Sequence, residues 1–161
     1  MDVVDRPSIV EGYGIADDGE GMLPFSWVED QLAAAHNYWV CSTRADGRPH
    51  AMPVWGLWVD GAVWFSTDPA SLKARNLAAR PEVVVHLESG DDVVVVEGVV
   101  SRVGEAELPA RFVDLYEEKY SHRIDTSDPA FGFYRVPPDR VLAWQESDFP
   151  RSATRFSRSA P

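Results

Sequence analysis

Tyr38-Trp39-Val40-Cys41-Ser42-Thr43-Arg44-Ala45-Asp46-Gly47-Arg48-Pro49-His50-Ala51-Met52-Pro53-Val54, continued by Trp55-Gly56-Leu57-Trp58-Val59-Asp60-Gly61-Ala62-Val63-Trp64-Phe65-Ser66-Thr67, is the stretch on which the fold turns. Its first six residues are β-formers, and Asp46-Gly47 supplies the positive φ of a tight hairpin. The return strand is read from Pro49 to Val59. Asp60-Gly61 turns it into a third strand, Ala62 to Thr67. Links this short join antiparallel neighbours, because a parallel pair needs a crossover of about a dozen residues or more.

Upstream, Ser26-Trp27-Val28-Glu29 has the form of a capping box and predicts a helix from Trp27 to about Asn37. Residues 1–25 hold Pro7, Gly12, Gly14, Gly19, Gly21 and Pro24 and read as an irregular lead-in. Downstream, Asp68 at N-cap and Pro69 at N1 predict a helix that Pro81 ends at Arg80. Strands follow over Glu82–Glu88 and Val93–Val103, the second bent or bulged at Glu97-Gly98. Leu108 to Tyr120 is an amphipathic helix, and Phe131–Val136 and Arg140–Glu146 are further strands. The tail from Phe149 is Ser/Arg-rich and reads as loosely held unless a partner subunit grips it. The organisation is thus a lead-in (1–25), one domain (26–148) and a tail (149–161). The fold class is α+β, mainly β: a small antiparallel barrel with flanking helices.

The 161 residues suffice for one buried core, and 45% apolar with 25% charged residues is the composition of a globular chain. No apolar run is long enough to span a bilayer, and the N-terminus has no signal-peptide pattern. With one cysteine, Cys41, this reads as a cytoplasmic protein. A net charge of −11 disfavours nucleic acid as a partner. Residues 1–30 hold eight acids and one base, Arg6, while positive charge collects at Arg44, Arg48, Lys73, Arg75 and Arg80, and again at Arg151, Arg155 and Arg158. Two local basic segments in an acidic chain suit a small anionic ligand. Only Lys73 and Lys119 are lysines among fifteen bases. His36, His50, His86 and His122 share no metal-ligand spacing, so no metal site is read.

The stretch Ser66-Thr67-Asp68-Pro69-Ala70-Ser71-Leu72-Lys73-Ala74-Arg75-Asn76-Leu77 carries chemistry. A helix N-terminus offers unpaired N–H groups and partial positive charge. Ser66, Thr67 and Ser71 add hydroxyls, Lys73 adds a full charge, and Asn76 shares its face. That set reads as a phosphate cradle.

Together with Tyr38-Trp39, Asp46-Gly47-Arg48-Pro49-His50, Pro53-Val54-Trp55-Gly56, Val96-Glu97-Gly98, Trp144 and Thr154-Arg155-Phe156, this series resembles the pyridoxamine 5'-phosphate oxidase-like family of flavin and deazaflavin (coenzyme F420) oxidoreductases. The resemblance implies a six-stranded antiparallel split β-barrel that binds F420, or alternatively FMN, at a homodimer interface. It places the cofactor phosphate on Thr67, Ser71 and Lys73 and the ring along Met52, Pro53, Val54 and Trp55. Trp144 and Arg155 would complete the site from across the dimer. Many members carry Arg where this chain has Leu72, a loss for which Arg75 offers compensation. His50, beside the ring strand, fits either a ligand contact or a structural place. The implied activity is hydride transfer to or from a small organic substrate, with no catalytic side chain assigned. The alternatives are an FMN-dependent pyridoxamine 5'-phosphate oxidase and a non-catalytic F420 or haem carrier.

Overall fold

The computed structural model describes residues 1–159. Among them, eleven strands form two antiparallel sheets, flanked by four helices. The strands are β1 (Val3–Asp5), β2 (Tyr38–Thr43), β3 (Pro49–Val54), β4 (Gly56–Val59), β5 (Ala62–Thr67), β6 (Glu82–His86), β7 (Asp92–Val99), β8 (Ser101–Val103), β9 (Gly132–Val136), β10 (Pro138–Gln145) and β11 (Thr154–Ser157). The helices are α1 (Phe25–Ala34), α2 (Leu72–Ala79), α3 (Phe112–Tyr120) and α4 (Phe149–Ser152). One sheet has seven strands in the order β1-β11-β10-β7-β6-β2-β3, the other four in the order β4-β5-β9-β8. Mainly-β, antiparallel architecture agrees with the sequence reading; the count of six strands does not.

Of the four strands beyond the seven laid out along the sequence, two arise where long ones change sheets. Val54 pairs with Tyr38 in the first sheet, and Gly56 pairs with Phe65 in the second, so the predicted 49–59 strand breaks at Trp55. A Cβ on Gly56 would lie 2.8 Å from the Trp64 carbonyl oxygen, so only glycine passes this corner without a shift. The predicted 93–103 strand breaks at Val100 in the same way: Val99 pairs with Glu82, and Ser101 with Arg135. Just before that break the register slips opposite Gly98, where a Cβ would sit 2.4 Å from the Pro137 carbonyl oxygen. The bend expected at Glu97-Gly98 is this feature.

The other additions lie in the stretches read as irregular or loose. β1 and β11 pair with each other, and β11 pairs with β10, so the tail is an interior strand of the larger sheet. Phe156 is fully buried and packs on Phe25 at 5.1 Å between ring centres. Arg6, the one base of the acidic lead-in, donates to the carbonyls of Asp18 (2.8 Å), Glu20 (2.8 Å), Ala153 (3.0 Å) and Arg151. Satisfying four carbonyls with one guanidinium ties the lead-in to the tail. The last two residues of the expected loose end, 160–161, lie outside the described residues.

Three helix starts also differ from the reading. α1 begins at Phe25 after Pro24, with no side-chain cap, so the Ser26 capping box does not form. Packing of Phe25 against Trp58 and Phe156 sets that start instead. α2 begins at Leu72, because Asp68 is spent on a turn in which its carboxylate accepts from the Ala70 N–H at 2.7 Å. Ser71, not Asp68, is the N-cap. α3 begins at Phe112 because Leu108 precedes Pro109 and is held extended.

Both sheets share one core, with Val40, Val85, Val96 and Val141 facing Val63, Phe65 and Tyr134. β5 is buried on both faces: Ala62 and Trp64 pack instead with Phe112, Tyr116 and Tyr120 of α3. No helix among the described residues is long and apolar enough to cross a membrane. Since Phe156 sits in the core, Phe156→Ala should cost about 3–5 kcal/mol in urea unfolding. A loss under about 1 kcal/mol would mean the tail strand is not part of the cooperative unit.

Candidate functional site

The site grows from the alternation of β2 and β3. Tyr38, Val40 and Ser42 lie on the inner face and pair with Val54, Met52 and His50. Val40 and Val54 are core, but β3 is the last strand of its sheet, so this face opens to solvent at Met52, which is 48% exposed. α2 packs over β2 at that opening, and the Asn76 amide donates to the Ser42 hydroxyl at 3.2 Å, both side chains being buried. This hydrogen bond fixes the helix against the strand.

The start of α2 gathers hydroxyls, backbone donors and a lysine. Ser71 Oγ accepts from the Ala74 N–H at 3.0 Å and lies 3.3 Å from Thr67 Oγ1, which joins the end of β5 to the helix. The N–H groups of Leu72 and Lys73 stand ahead of the helix's own ladder. Lys73 is only 7% exposed, and among the described residues it has no hydrogen-bond or ion-pair partner. Burial pushes its ammonium down to about 8. An ammonium so placed is costly, since burial strips most of its water and no carboxylate compensates it among the described residues.

Two further nitrogens lie in the same neighbourhood. Arg44 Nε and His50 Nδ1 are buried without a hydrogen-bond partner. His50 is held below the ordinary histidine range by burial first, then by the positive charges of Arg44 and Lys73. The hairpin itself sorts its two arginines. Arg48 pairs with Asp46 at 2.7 Å in solvent, while Arg44 continues the inward alternation of Ser42 and has no ion pair among the described residues. Arg44 and His50 thus stand near Lys73, beside the residues expected from the sequence to hold a phosphate. The signal for Arg44 was present in the sequence: Asp46 lies two residues from each arginine but can pair fully with only one.

The remaining site residues divide. Met52, Pro53 and Trp55 are exposed along the free edge of β3, while Val54 is core and offers a ligand only its backbone. One face of Trp55 stacks on Tyr120 at 4.6 Å. Ser66 lies at the end of β5, where its hydroxyl draws the Tyr116 phenol slightly down against the larger upward push of burial. Arg75 donates to the Ala70 carbonyl at 2.7 Å, so it braces the loop rather than replacing a base at Leu72. Trp144 on β10 and Arg155 on β11 are separated from β3 by the intervening strands of the sheet. Trp144 packs edge-on against Phe149, and Arg155 Nε donates to Asp5 at 2.7 Å. Within one chain, these two do not join the cradle.

Uncompensated cations at a helix start, beside an exposed strand edge, fit a phosphorylated ligand with a planar group. Comparisons agree in fold. A conserved hypothetical protein, Rv2991 from Mycobacterium tuberculosis, superposes with a TM-score of 0.68 at 23% identity, over 81% of this chain and 89% of that one. An F420 reductase gives 0.57 at 20% identity, over 70% and 94%. HutZ, the haem storage protein of Vibrio cholerae, gives 0.62 at 17% identity, over 72% and 91%. None of the curated proteins matches the sequence. At these identities the structural likeness is one of fold alone. The family model for pyridoxamine 5'-phosphate oxidase, however, matches residues 28–145, well over half of the chain, and the protein belongs to that family.

Proposed function

We propose that the protein binds a phosphorylated deazaflavin (F420), or FMN in its place, and serves hydride transfer with a small organic substrate. The observation that carries this reading is the cluster near the start of α2 of Lys73, which is buried, with Arg44 and His50, which are half-buried and each hold one side-chain nitrogen away from solvent without a hydrogen-bond partner. A phosphate there would accept from Lys73, from the Ser71 and Thr67 hydroxyls and from helix N–H groups. The free edge of β3 would hold the ring by backbone groups, with Met52 and Trp55 beneath it. When bound, the ring supplies the redox chemistry, and the chain supplies binding, orientation and exclusion of water. The preference for the deazaflavin rests on the wording Ala51-Met52-Pro53-Val54-Trp55 and Lys73-Ala74-Arg75-Asn76-Leu77.

A homodimer belongs to the same reading. The edge of β3 is open, and Trp144 and Arg155 could reach a cradle only from a second copy. Arg155 would act there while still paired with Asp5, as one end of an ion pair. Because β11 is interior to its sheet, Arg155→Gln tests this role without removing a strand.

The purified protein's visible spectrum, after titration with each cofactor, separates deazaflavin, flavin and haem. A haem band with no flavin or deazaflavin binding would overturn the proposal. Lys73→Ala and Arg44→Ala should each weaken cofactor binding by about 1.5–3 kcal/mol. The same Lys73→Ala change should leave the ligand-free protein as stable or more so, since it removes an uncompensated buried charge. A variant that loses binding only because it unfolds would show the opposite.

The pH dependence follows in sign. In the free site Lys73 gives up its proton near pH 8, and a bound anion holds that proton on. Affinity for inorganic phosphate should therefore fall up to about tenfold per pH unit above that point. Lys73→Arg, charged throughout, should flatten this slope in a calorimetric titration. An unchanged slope in that variant would assign the titration to another group.

A further inference from the structure

The second lysine has no place in the cradle. Lys119 lies in the last turn of α3, and its side chain crosses to the break between β3 and β4. There Nζ donates to the Tyr38 hydroxyl and to the Gly56 carbonyl, at 3.2 Å each, and stands 4.8 Å from the centre of the Tyr38 ring. Neither acceptor carries charge. The Tyr38 hydroxyl donates its own proton to the Leu32 carbonyl, and burial keeps that phenol un-ionised. No carboxylate forms an ion pair with Lys119 among the described residues, and burial pushes its ammonium down to about 8. Two neutral acceptors are fully served by a neutral amine, whose two N–H bonds they take up. Its lone pair is then left unengaged.

Beside this group is a cavity of about 330 Å³ between α1, β4 and α3. Ala33, Leu57, Trp58, Val59 and Leu115 give it apolar walls, and Lys119 lines it as well. Glu118 borders the same cavity, and Glu29 lies 3.4 Å from the Trp58 indole nitrogen. The Glu118 carboxylate on the cavity, with Glu29 behind its Trp58 wall, repels an acidic guest, so the chemistry favours an uncharged one. A desolvated lysine without a counter-ion, next to a cavity that admits a small neutral molecule, is the arrangement of a nucleophilic amine.

We propose that this cavity takes a small neutral aldehyde or ketone with an apolar body and that Lys119 captures it as an imine. The Nζ lone pair forms the bond to the carbonyl carbon as the C=O π pair moves onto oxygen. Both amine protons then leave with that oxygen as water, giving C=N. No oxidant or reductant is consumed.

The test uses the full chain, benzaldehyde as the probe and cyanoborohydride to trap the imine as a benzyl amine. Inorganic phosphate in the buffer keeps Lys73 protonated, and peptide mapping locates the adduct. With only two lysines and one N-terminal amine in the chain, the assignment is direct. The expected result is a benzyl adduct on Lys119 whose rate of formation saturates with benzaldehyde. Ala33→Phe, which fills the cavity from the exposed side of α1, should lower that rate about tenfold, a loss of about 1.4 kcal/mol in capture. Should that variant not fold, Leu115→Phe on the α3 wall replaces it. Adduct confined to Lys73 or the N-terminus overturns the proposal. So does a rate at Lys119 that rises linearly without saturation, or one that a filled cavity leaves unchanged.

Discussion

Where the third stretch of chain leaves one sheet for the other, at Trp55-Gly56, backbone polar groups must find partners outside a strand ladder. The Tyr120 hydroxyl meets this need. It accepts from the Gly56 N–H at 2.8 Å and lies 2.7 Å from the Gly56 carbonyl and 2.9 Å from that of His36, to one of which it donates. Lys119 gives the Gly56 carbonyl a second donor. Burial keeps both the Tyr38 and Tyr120 phenols un-ionised, Tyr120 being pushed up to about 12. The network therefore holds the corner without a fixed negative charge. Much of the architecture depends on this corner. It ends β3, the last strand of the larger sheet, and it sends β4 under α3, which closes the second cluster of apolar side chains.

The free edge and the cation cluster are consequences of the same geometry. His50 and Met52 lie on the outermost strand, with no further strand beside them. That edge places them at a rim, facing the start of α2, where Ser42 and Asn76 lock strand to helix. Three basic groups then converge in a chain whose net charge is −11. Long-range attraction to a small anion is weak for such a chain overall, so an anion bound there would have to be selected by local donors. That explains why Arg48 is neutralised by Asp46 while Arg44 is left unpaired, and why the lead-in's acids meet Arg6, Arg151 and Arg155 on the far side of the sheet.

The legible parts of the fold were those ruled by local chemistry. Asp60 and Gly61 both take positive φ, 50° and 67°, as a two-residue hairpin demands, and Gly47 does the same at 85°. Helix starts were less legible because two polar residues competed for one role. Asp68 and Ser71 are both good caps, and only the packing of Lys73 and Asn76 against β2 decides which residue is used. The tail illustrates the larger difficulty. Thr154 to Ser157 has a single apolar residue, Phe156, among four, too little pattern to distinguish a strand from a soluble tail. Its place comes from Arg6 and Asp5, some 150 residues away, and from the apolar slot that receives Phe156. For the site, hydroxyls and Lys73 stood in one contiguous run and could be read. Arg44 and His50 are joined to that run only by strand pairing, which periodicity does not disclose.

The two lysines show how one physical effect serves two different ends. Burial lowers both ammonium groups to about 8, so the shift alone does not separate them. Their surroundings do. Lys119 has two neutral acceptors at 3.2 Å, and its charged and uncharged forms can both be accommodated by them. Lys73 has no acceptor among the described residues and shares its neighbourhood with two more basic groups. For Lys119 desolvation therefore brings the neutral amine within easier reach, whereas for Lys73 it stores unfavourable free energy that a bound anion would release. Binding and stability are then linked at the cradle: whatever supplies negative charge to Lys73 also removes the cost of having buried it.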